Sequence, residues 1–102
     1  MDQPKQPNQG QGQEIKIKAA DEVLAGKYAN MMQVAHNKEE FILDFMNLVP
    51  PQGTLNSRIM TSPGHAKRIL KTLQENIKRY EDQYGTIDEA ESPKAVRFPN
   101  LG

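Results

Sequence analysis

A chain of 102 residues holds at most one ordinary domain, and an apolar share of 36% is low even for that. Its 13 basic and 13 acidic residues cancel, which argues against a wholesale coat for nucleic acid. The absence of cysteine excludes disulfides and thiolate metal sites, and no apolar run approaches the roughly 18 residues that span a membrane.

Residues 1–13 carry no apolar side chain after Met1 except proline. Such a segment cannot offset the entropy of ordering itself, so a Gln/Pro-rich disordered tail is expected there. It also has no apolar signal core, and the chain is read as cytoplasmic.

Glu14 to Lys18 alternates strictly, with Ile15 and Ile17 on one side, as on a half-buried strand. Residues 19–26 read equally as a helical turn or a bent strand continuation, closed by Gly26. Tyr28 to His36 is a second strand, with Tyr28, Asn30, Met32, Val34 and His36 on one face. Asn37-Lys38 turns the chain into a third strand, Glu39 to Val49. Both faces of that strand are fairly apolar, which places it centrally. Pro50-Pro51-Gln52-Gly53 ends it, and Thr54 to Thr61 forms the fourth.

The last element is a helix over about 63–84. Ser62 suits its N-cap, Pro63 its first position and Gly85 its stop. Ala66, Ile69, Leu70, Leu73, Ile77, Tyr80 and Tyr84 recur at three- and four-residue steps as an apolar stripe. The expected fold is therefore α+β: a four-stranded antiparallel meander, then one long helix, over residues 14–85. Phe41, Phe45, Tyr80 and Tyr84 are expected in its core. One helix covers one sheet face only, so the other face and an edge are left for a second copy, and a homodimer is expected. Residues 86–102 are acidic and proline-containing, a loose tail in which Val96, Phe98 and Leu101 could serve as a short docking motif.

Little here carries catalysis. His36 and His65 lie 29 apart, which fits no compact metal motif, and no cofactor loop is present. Ser62-Pro63-Gly64-His65 could hold an anion on free backbone amides, although simple capping explains it better. Asp44 interrupts an apolar run and is expected to meet Arg58 across strands. Basic residues Lys67, Arg68, Lys71, Lys78 and Arg79 face only Glu75 within 63–80. Lys67, Lys71, Gln74 and Lys78 are read as a row opposite the apolar stripe, either a solvated face or a contact for an acidic partner or polyanion.

Three blocks occur in order: Tyr28-Ala29-Asn30 leading to Val34 and His36; Glu39 through Phe45; and Arg58 through Ser62-Pro63-Gly64-His65-Ala66-Lys67-Arg68, continuing to Leu73, Asn76 and Tyr80-Glu81. Over about residues 14–84 the chain resembles the bacterial and archaeal family called domain of unknown function 3467. The resemblance implies that Asn30, His36, Glu40, Asp44, Arg58, His65, Lys67, Arg68 and Asn76 occupy recurring polar positions. It also points weakly towards transcription, because in some lineages members are encoded beside RNA polymerase subunit genes. In outline alone, the expected fold is similar to dimeric single-strand DNA-binding transcription cofactors, which stack bases on a sheet. Tyr28 is the one ready stacking residue here.

The leading expectation is a non-catalytic dimeric adaptor that docks on a larger assembly, RNA polymerase or other transcription machinery being the candidate. Its sheet makes the dimer, and Lys67, Lys71 and Lys78 meet an acidic partner. The alternative is single-stranded nucleic-acid binding through Arg58, Tyr28 and the basic helix face. A third reading, a small hydrolase-type enzyme, requires His36, Asp44 or His65 to line one pocket.

Overall fold

The computed structural model describes residues 13–91. The expectations for most of the N-terminal tail, and for Val96, Phe98 and Leu101, fall outside that range. A helical turn α1 (Asp21–Ala25) precedes strands β1 (Met31–His36), β2 (Phe41–Val49) and β3 (Gln52–Thr61), and helix α2 (Pro63–Tyr84) closes the fold. The sheet is an antiparallel meander of order β1-β2-β3.

It has three strands, not four. Residues 14–18 join no ladder, and Ile15 and Ile17 stand 79% and 89% exposed. Their alternation is the pattern of a strand, but in one protomer it meets no partner edge. The ambiguous stretch before Gly26 resolves as helix, capped where Gly26 turns to φ 80° and donates to the Val23 carbonyl.

The β1–β2 turn is built by Asn37. Its Oδ1 accepts from the amides of Glu39 at 2.8 Å and Glu40 at 2.9 Å, while its own amide donates to the Glu40 carbonyl. A side chain acting as backbone in this way is why asparagine favours turns. Pro50-Pro51, joined by a cis peptide, carry the second turn between the paired Val49 and Gln52.

Register and alternation assign two faces. One carries Met32, Val34, His36, Phe41, Leu43, Phe45 and Ile59, with His36 stacked on its cross-strand partner Phe41 at 5.2 Å. The other carries Met31, Ala35, Ile42, Asp44, Met46, Leu55, Arg58 and Met60. A shift in register at Phe45/Met46 leaves Asn56 as the extra residue of a bulge in β3.

Burial is slight. Among the described residues, the buried apolar side chains are Leu43 and Met46, at 7% and 3% exposure. The two strand pairings supply nearly all the contact between elements, and α2 has no broad contact with the sheet. Its half-buried apolar residues, Ala66 and Ile69, lie in the first turns. Beyond them Leu70, Leu73, Ile77, Tyr80 and Tyr84 are between 47% and 67% exposed. Tyr80 and Tyr84, expected in the core, instead lean on each other at 4.9 Å on the open helix surface.

Candidate functional site: a bare apolar helix beside an ion-paired sheet

The sheet positions one charge pair. Asp44 and Arg58 are register partners on β2 and β3. The guanidinium donates from Nε to Oδ1 at 2.8 Å and from Nη2 to Oδ2 at 3.0 Å, a two-pronged fork. Asp44 is buried, and the bonds from Arg58 hold its carboxyl below the usual carboxylate range against the opposing effect of burial. The Arg58 guanidinium is correspondingly held more firmly protonated by Asp44. The pair lets an otherwise apolar face carry charge by neutralising it in place.

Two asparagines fasten the entry to the sheet. Asn30 donates from Nδ2 to the Leu48 carbonyl at 3.0 Å, and its Oδ1 accepts from the Leu48 amide at 2.8 Å. The side-chain amide thus copies a ladder rung where β1 has not yet begun. Asn56, the bulge residue, donates to the Tyr28 carbonyl at 2.6 Å. The Tyr28 backbone is fixed while its ring stays 77% exposed. Asn56 escaped sequence reading, since a bulge follows from strand register and has no mark of its own in the residues. An open cleft over this corner is lined by Glu22, Val23, Gly26, Lys27, Phe45 and Asn56.

The expected polar positions scatter. His36 and Asp44 lie on opposite faces of the sheet. His65 sits in the first turn of α2, its amide donating to the Ser62 Oγ at 3.1 Å, so Ser62 is the cap that was expected. Glu40 serves the Asn37 turn through its backbone. Asn76 donates to the Thr72 carbonyl and accepts from Arg79. None of His36, Asp44 or His65 lines the cleft. Among the described residues no group of three His, Asp or Glu side chains could hold a metal ion, and no helix is long and apolar enough to cross a membrane.

The basic helix face needs two corrections. Lys78 bonds Asp82 at 3.0 Å one turn on, a partner lying just past residues 63–80. At 100° per residue the row of Lys67, Lys71, Gln74 and Lys78 also lies beside the apolar stripe, about 110° round from its centre, and does not oppose it. Lys67 and Gln74 border the stripe directly, whereas Lys71 and Lys78 point further away. Lys67, Arg68 and Lys71 are exposed.

A family described as "Protein of unknown function (DUF3467)" matches residues 1–89. No curated protein and no solved structure matches the chain.

Proposed function

The chain belongs to the DUF3467 family, whose function is not known, and from its own geometry we propose that it is a dimeric, non-catalytic adaptor docking on a larger protein assembly. One observation carries this reading. Five large side chains of one helix stripe are about half exposed or more, beside a sheet open on both faces. Monomeric proteins rarely leave contiguous apolar surface of this extent uncovered. Among the described residues only two apolar side chains are buried, little against the ordering of some 70 residues, which favours a second chain as the source of further stability. The alternating segment 14–18 would become the fourth strand on the open edge of such an assembly.

The outer basic residue Lys71, beside Lys78 in its exposed pair with Asp82, favours an acidic protein partner, and the transcription machinery is the first candidate. Nucleic-acid binding through the sheet is less favoured, because Arg58 is already occupied by Asp44. The test is affinity capture from the native cell extract, with and without nuclease. A single complex retained after nuclease by the wild type, and lost by Lys71→Glu/Lys78→Glu, is expected. If every partner disappears with nuclease, the chain binds nucleic acid instead, and oligonucleotide affinity should then fall steeply with salt.

A further inference from the structure

The stripe of α2 runs the length of the helix and is open beyond its first turns. Apart from Ile69, which is half-buried, it carries Ala66, Leu70, Leu73, Ile77, Tyr80 and Tyr84 at alternating steps of four and three, a spacing that a short helix–helix seam accepts. We infer that α2 pairs with α2 of a second copy, antiparallel, about a two-fold axis level with Glu75. This rests on the assembly reading above and supplies its geometry, moving the dimer contact from the sheet to the helix.

Three observations select the antiparallel arrangement. The first is size. About that axis Ala66 meets Tyr84 of the second copy, Leu70 meets Tyr80, and Leu73 meets Ile77. Every layer then sets a small or middling residue against a larger or equal one, as an evenly filled seam requires. A parallel pair would set Ala66 on Ala66 at one end and Tyr84 on Tyr84 at the other, a hole and a crowd.

The second is charge. Lys67 and Glu81 flank the seam on the same side, and the two-fold brings each against the other of the second copy, twice. Glu81 Oε2 accepts from the amide of Ile87 at 3.0 Å, which leaves Oε1 for a lysine across the seam. Within one helix Lys67 and Glu81 are fourteen residues apart, about 21 Å along the axis. Only a second chain can bring them together. The third is that the flanking positions nearest the axis, Gln74 and Asn76, meet their own copies, where a charged residue would repel itself, while Ile69 faces Gln83 of the second copy.

Neither sheet face is consumed by this pairing. The two sheets are carried to opposite ends of the helix pair. The second copy's Tyr84 arrives at Ala66, in the half-buried first turns beside this protomer's sheet.

Engineered cysteines decide the matter, since the chain has none of its own. Leu70→Cys/Tyr80→Cys is expected to become a covalent dimer on oxidation, while Leu70→Cys and Tyr80→Cys alone stay unlinked. In the antiparallel pair like positions are about 15 Å apart along the axis, far beyond the roughly 4 Å a disulfide allows. Because cysteines in the seam could unfold the protein, charge exchange on the full chain gives a second readout. Lys67→Glu should weaken the dimer roughly tenfold in sedimentation or light scattering, and Lys67→Glu/Glu81→Lys should restore it. Linking by the single cysteine variants would make the pair parallel and overturn the proposal. A dimer indifferent to both the cysteines and the charges would place the contact on the sheet and sink the seam, but not the assembly reading. A stably folded wild-type monomer would overturn both.

Discussion

Asp44 and Arg58 stand opposite each other on adjacent strands, joined by two hydrogen bonds of 2.8 and 3.0 Å between a buried carboxylate and a largely covered guanidinium. The carboxylate lies inside β2, a strand otherwise made of Phe, Ile, Leu, Met, Asn and Val. Its partner is set by register, two strands in exact antiparallel step on this side of the bulge. A removed Arg58 would leave Asp44 buried and charged, the costlier half of such a pair to lose.

That pair makes the fold acid-sensitive. The native Asp44 carboxyl titrates below its usual value of 3.8. Its contribution is therefore fully present above that value and is lost as pH falls through the lower native one. Thermal melts of wild type and Asp44→Asn should differ most near neutrality, with the variant lower by about 5 °C or more. The two curves should converge as the pH drops below about 3.8. A gap that stays constant into acid would mean the charge contributes nothing.

Asn30 closes a rung that no backbone supplies. Asn30→Ala removes two hydrogen bonds to Leu48 and should cost about 1–2 kcal/mol in urea unfolding. Asn30→Asp keeps an acceptor for the Leu48 amide but turns a carboxylate oxygen on the Leu48 carbonyl, so it should cost at least as much. Amide exchange at Leu48 should quicken in both variants.

The ends of α2 are set by local chemistry. Ser62→Ala strips the cap from the His65 amide and should cost about 1 kcal/mol. Gly85 holds φ 99°, which an L side chain rarely adopts, so Gly85→Ala should cost a similar amount, about 1 kcal/mol. Circular dichroism and urea unfolding of each variant would read both. Equal stability of Gly85→Ala and wild type would show that the helix end rearranges freely.

The Asn37 turn gives a check on hairpin formation. Asn37→Ala leaves the amides of Glu39 and Glu40 without their side-chain acceptor and should destabilise by about 1 kcal/mol. Asn37→Asp, which preserves the acceptor, should retain most of the stability.

What could be read from the residues alone follows from how local the cause is. Ser62, Pro63 and Gly85 bound α2 because caps and stops act within a few residues. The Asp44–Arg58 pair was legible because an acid within an apolar strand must find a cation, and Arg58 was the basic residue of the neighbouring strand. Residues 14–18 misled because alternation shows that a segment suits a sheet, not that it pairs with one, although the order β1-β2-β3 leaves two edges in the chain. Tyr80 and Tyr84 misled for a related reason: the stripe shows that a face suits burial, not which surface covers it. Asn56 was illegible because its role exists only once the β2–β3 register slips.

The sparse interior would tie the proposed pairing to the amount of the protein. If most of the stabilising surface lies between copies, folding and pairing are one equilibrium, and stability rises with protomer concentration. Dilute chains would spend much of their time open to proteases, while chains above the pairing threshold would persist. The abundance of the protein would then respond to synthesis more steeply than in proportion. A cell could set the level of this module by expression alone, with surplus single copies cleared because they are incomplete.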